Sequence, residues 1–113
     1  MQVGEYVSPD GQLNFLVTCP DGDWTIGFAG FPWHTHASIL AELSGQDEIA
    51  ALKRYVADLT SNISVITLTR RSGVLTNVWV TDDPAGDLLS CEQYGGTEKT
   101  VSFRLWDGTV VTV

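Results

Sequence analysis

The chain has 113 residues, enough for one domain at roughly 100–200 residues per domain. Its 43% apolar and 18% charged composition is that of a folding chain, and no run approaches the roughly 20 apolar residues of a membrane-spanning helix. Fourteen acids against six bases give a net charge of −8, which excludes the basic footprint of a nucleic-acid binder and electrostatic docking on anionic lipid.

Taken in chain order, Ser8-Pro9-Asp10-Gly11 is a turn signature, because Pro presets φ and Asp and Gly tolerate the turn geometry. Leu13, Phe15, Val17 and Cys19 alternate with Asn14, Leu16 and Thr18, which is the period of a strand with one buried face. Pro20-Asp21-Gly22-Asp23 is a second turn, and Trp24–Phe28 reads as the returning strand of a hairpin. Gly27, Gly30 and Pro32 break regular structure, yet Phe28, Phe31 and Trp33 are too apolar for a solvated loop. The segment 27–36 is therefore expected to be a loop pinned to the core by its aromatics.

A short helix is expected over Ala37–Leu43. Ile49, Leu52, Val56 and Leu59 recur at helical spacing, so Gln46–Leu59 reads as the main amphipathic helix, with Asn62 as its stop. Ile63–Thr69 is rich in β-branched residues and reads as a strand. Arg70-Arg71-Ser72-Gly73 is expected to turn into a partner strand, Val74–Thr81. Asp82–Asp87 reads as a loop by composition, and Leu88–Tyr94 as a short edge strand. Val101, Phe103 and Leu105 alternate again, and Asp107-Gly108 predicts a type I′ hairpin closed by Thr109–Val113. The expectation is one α+β domain over 1–113. Its mainly antiparallel sheet would have about six or seven strands, with one helix packed on one face. A closed β-barrel is the competing architecture.

Charge is unevenly placed. The first 52 residues carry seven acids and no Lys or Arg; the remaining 61 carry seven acids and all six bases, or about −7 against −1. Such a surface is either ordinary solvated exterior or a docking face for a basic protein or a metal ion. The absence of Lys and Arg before Lys53 leaves no positive region of a secretory signal, so the expectation is a cytoplasmic protein with Cys19 and Cys91 as reduced thiols.

His34-Thr35-His36 is the one histidine pair. Imidazoles at i and i+2 lie on the same side of an extended segment, so both reach toward one metal ion if a third donor is present. Glu42 is the candidate for that position, with Cys19, Asp21, Asp23 and Cys91 as further donors. The order glycine, His-x-His, Glu42, Gly45 resembles the first metal motif of cupins, which implies a small metal-dependent enzyme centred on His34 and His36. The pattern departs from cupins in its long gap to Glu42, in lacking a third histidine and in the helix that follows. The alternative is that both histidines form hydrogen bonds that pin the loop. Asp82, Asp83 and Asp87 read as a weak calcium loop or, more simply, a solvated acidic turn. No nucleophile elbow, P-loop or dinucleotide fingerprint is present, and no cofactor is expected.

The residues Cys19–His36 and Phe103-Arg104-Leu105-Trp106-Asp107-Gly108-Thr109 resemble small acidic bacterial single-domain proteins, some of which accompany toxins as immunity proteins. The resemblance implies a non-enzymatic binding role against a basic protein partner. On that reading Phe31, Trp33, His34, His36, Asp21 and Asp23 form the binding surface. A homodimeric structural module is the remaining reading, since exposed β edges and aromatics also suit self-association.

Overall fold

The chain builds two four-stranded antiparallel sheets and three α-helices, as seen in a computed structural model that describes residues 2–113. The first sheet has the order β1-β2-β3-β4, from Gln2–Val7, Asn14–Thr18, Thr25–Phe28 and His34–His36. Two helices follow, α1 (Ala37–Ser44) and α2 (Glu48–Thr60). The second sheet has the order β6-β5-β7-β8, from β5 (Val65–Arg71), β6 (Val74–Thr81), β7 (Lys99–Arg104) and β8 (Val110–Val111). A third helix, α3 (Pro84–Tyr94), is inserted between β6 and β7.

The α+β class and the antiparallel pairing agree with the sequence reading; the single sheet of six or seven strands and the single main helix do not. The chain leaves the first sheet at β4 and passes through α1 and α2 before β5 starts a new ladder. No backbone pairing joins the two sheets among the described residues. They meet through a side chain: Asn77 of β6 accepts from the Trp33 backbone N–H with its Oδ1 at 3.3 Å. Phe15, Val17, Ile26 and Phe28 from the first sheet share one core with Leu52 and Leu59 of α2 and with Ile66, Leu68 and Val78 of the second.

β5 is buried on both faces. Ile66 and Leu68 face the shared core, and Thr67 faces α3. The strand expected over Leu88–Tyr94 is instead the body of α3, and Pro84–Asp87 of the expected loop Asp82–Asp87 form its first turn. Asp83 caps the helix by accepting from Gly86 N–H at 3.1 Å, and Pro84 occupies the first turn, where its missing N–H costs nothing. Gly86 leaves room for that cap, because a Cβ there would press on the Asp83 carboxylate and make it move.

Two turns exchange the expected roles. Ser72 and Gly73 both have positive φ, +52° and +82°, and join β5 to β6 as a two-residue type I′ loop, so Arg70 and Arg71 belong to the strand. At Asp107-Gly108 only Gly108 has positive φ. Gly108 N–H donates to Leu105 O at 3.0 Å and Leu105 N–H to Thr109 O at 2.8 Å, a three-residue loop with a glycine bulge. The stop at Asn62 holds, with φ +62°. β1 had no sequence signal strong enough to single it out; its exposed Val3, Tyr6 and Val7 follow no alternation of buried and polar residues.

Candidate functional site

The segment between β3 and β4 turns on Gly30, whose φ of +83° lies in the left-handed region. Its backbone is tied by Ala29 N–H to Asn14 O at 2.8 Å and Phe31 N–H to Phe28 O at 3.2 Å. Trp33 stacks at a tilt on Phe28, ring centroids 6.1 Å apart, and Phe28 meets Phe15 edge-on at 5.0 Å. Phe31 and Trp33 are half-buried and pack against the core, so the loop is anchored by its aromatics.

Strand pairing decides where the histidines go. Gly27 lies opposite His34 and Thr25 opposite His36, on the sheet face away from the core residues Ile26 and Phe28. The two imidazoles meet edge to face at 5.3 Å. His36 Nδ1 lies 3.1 Å from Asp23 Oδ2 and 3.2 Å from Thr25 Oγ1. His34 Nδ1 donates to Pro32 O at 3.2 Å. Gly27 makes this approach feasible, because a Cβ there would lie 2.7 Å from Trp33 O.

Of the residues singled out from sequence, the structure therefore brings Asp23, His34 and His36 together, whereas Phe31 and Trp33 pack against the core. Asp21, in the 3-10 turn Pro20–Gly22 with φ +51°, is exposed and makes no ion pair among the described residues. Glu42 is exposed on α1. Among the described residues no group of three or more His, Cys, Asp or Glu side chains is arranged to hold a metal ion. The His36–Asp23 contact orients an imidazole as a general base is oriented, but among the described residues no hydroxyl or thiol meets its Nε2. Cys19 and Cys91 are free thiols, and Cys91 Sγ contacts Lys99 O at 3.7 Å.

Two of the three acids read as a weak calcium loop, Asp83 and Asp87, take structural roles. Asp83 is the α3 cap. Asp87 Oδ2 accepts from Thr67 Oγ1 at 2.8 Å and from Trp79 Nε1 at 3.0 Å, fastening α3 to the second sheet.

Trp33 also lines a cleft of about 390 Å³ that the sequence did not disclose, between α1, the end of α2 and the end of β6. Tyr55, Val80 and Asp82 line it as well, with Asp58 and the exposed Leu43. Burial first, and the Asp82 charge second, push the Tyr55 hydroxyl above its ordinary titration range. The available sequence signal was Ile39 and Leu43, an apolar i, i+4 pair on α1 that remains 45% and 81% exposed.

No protein-family model, curated protein or solved structure matches this chain. Among the described residues no helix is long and apolar enough to cross a membrane. The functional reading therefore rests on the chain's own residues.

Proposed function

We propose that the chain is a non-enzymatic binding protein that captures a basic protein partner, in the manner of the immunity and inhibitor proteins its aromatic segments resemble. The observation that carries this reading is a charge polarity along the second sheet. Arg70, Arg71 and Lys99 gather at the end of the β5–β6 ladder that carries the Ser72-Gly73 turn, with Arg71 directly opposite Lys99. Asp82 and Asp83 follow Thr81 at the other end, where the cleft is lined by no Lys or Arg. The first sheet and α1 contain no Lys or Arg at all. Long-range attraction toward such a pole speeds encounter with a cation-rich surface.

The test is to purify the protein with its native partners and measure binding of the recovered basic protein at low and high salt. The expected result is a saturable one-to-one complex whose association rate falls roughly tenfold or more as salt rises. Affinity and rate indifferent to salt would overturn the reading. So would a recovered partner without excess Lys and Arg.

A further inference from the structure

The cleft beside Trp33 combines aromatic walls, an acidic side chain and exposed apolar surface. Its aromatic walls are Trp33 and the half-buried Tyr55. Asp82 is exposed, and its carboxylate forms no hydrogen bond or ion pair among the described residues, whereas Asp58 already receives Arg54 Nε at 3.2 Å. The last turn of α2, which ends at the cleft, carries no basic side chain, so its negative dipole end is uncompensated. Leu43 adds an apolar surface 81% exposed.

We infer that this cleft seats an arginine side chain of the basic partner, its guanidinium stacked between Trp33 and Tyr55 and paired with Asp82. The assignment rests on the binding reading above and specifies its anchor. A guanidinium suits the site better than an ammonium, because it is planar, weakly hydrated, stacks on aromatic faces and pairs with a carboxylate through two N–H groups. The neighbouring apolar Leu43 and Ile39 favour an arginine presented by a protein surface over a free amine, since a free amine would leave them uncovered. A single anchor of this kind, partly desolvated and central, is where binding energy concentrates in interfaces.

The test uses N-acetyl-arginine-N-methylamide as the probe and its citrulline counterpart as the neutral isostere, both titrated into the whole protein. The amide of Asp82 and the indole N–H of Trp33 are followed by nuclear magnetic resonance. The arginine probe is expected to shift both signals saturably, with the citrulline probe about fivefold weaker or more. Asp82→Asn is expected to weaken the arginine probe roughly fivefold, while Glu92→Gln, the same loss of charge on α3, changes it less than about twofold. Asp82 is exposed, so the variant keeps its fold, which unchanged β5 signals report. Equal binding of the two probes, or equal effects of the two variants, would overturn the assignment. If the recovered basic partner binds with salt dependence yet tolerates Asp82→Asn, the binding reading stands and the cleft assignment falls. If the arginine probe saturates the cleft while no basic partner binds, the binding reading falls and takes the partner's arginine with it, leaving only a guanidinium-binding cleft.

Discussion

At the scale of single residues, the most consequential contact joins the two sheets. Arg104 is buried, and its guanidinium forms a bidentate pair with Asp10, Nη1 to Oδ2 at 2.7 Å and Nη2 to Oδ1 at 3.2 Å. Nη2 also donates to Trp106 O at 2.8 Å, and Nε to Leu105 O at 3.0 Å, so each of the three guanidinium nitrogens is engaged. Asp10 in turn accepts from Ser8 Oγ at 2.6 Å and from Gln12 N–H at 3.2 Å. Hydrogen bonds from Arg104, then from Ser8, hold its carboxyl well below the usual carboxylate range. Because the folded value is depressed, the folded state binds fewer protons than the unfolded chain. The stabilisation is complete above the unfolded value, about 3.9, and is lost as pH falls through lower values. Since 34% of the Asp10 side chain is accessible, solvent limits the effect to that of charged hydrogen bonds. Asp10→Asn is expected to cost about 1–3 kcal/mol at neutral pH and to flatten the loss of stability below about pH 4. Urea denaturation at neutral and acid pH measures both. A variant whose acid sensitivity equals the wild type's would remove Asp10 from that role.

At the scale of elements, α3 stands apart from α2. α2 is capped by Asp47, which accepts from Ala50 N–H at 2.8 Å, and buries Ala51, Leu52 and Leu59. α3 buries none of its own residues and is tied to the second sheet by the Asp87 bonds to Thr67 and Trp79 and by the Cys91 contact to Lys99. Elements with little buried apolar surface open locally before the rest of a molecule unfolds. Amide hydrogen exchange is therefore expected to be faster in α3 than in β5, and Asp87→Ala to raise the α3 rates further. The same variant leaves the Trp79 indole and the Thr67 hydroxyl without their partner and is expected to cost about 1–3 kcal/mol overall. Equal exchange protection in α3 and β5 would contradict this account. The helix also shows where local reading of a sequence runs short. Asp83-Pro84 carries both a cap and a first-turn proline, a legible start signal, but Leu88-Leu89-Ser90-Cys91 has no amphipathic period to continue it. The face that α3 presents to the sheet is held by a polar side chain, and no hydrophobic pattern announces that.

At the scale of the whole molecule, the two sheets are not separate units, because one hydrophobic cluster draws on both. The Asp10–Arg104 pair and the Asn77–Trp33 bond reinforce the junction. Unfolding is expected to follow a single cooperative transition. Tryptophan fluorescence, dominated by Trp24, Trp33, Trp79 and Trp106, should coincide with far-ultraviolet circular dichroism across the denaturation curve. Two separated transitions would show that the sheets unfold independently. The charge polarity also belongs to this scale, since no single residue creates it. Arg71 and Lys99 are 28 positions apart in the chain (99 − 71) and become neighbours only through the β5–β7 pairing.

By itself the sequence determined the α+β class, the β2–β3 and β5–β6 hairpins, both helices between the sheets and the anchoring of the Phe31–Trp33 loop. Each of these follows from a local period or from turn chemistry within a few residues, where the physical cause and the signal occupy the same stretch of chain. It also placed His34 and His36 on one side of an extended segment, because alternation along an extended backbone needs no tertiary contact, but it read that segment as a loop, and only pairing with β3 makes it the strand β4. The division into two sheets, the helical state of α3, the partnership of His36 with Asp23 and the cleft at Trp33, Tyr55 and Asp82 were decided by tertiary structure alone. Those features depend on which segments meet across long separations, and burial energy, which is non-directional, selects the meeting only once the whole chain is packed.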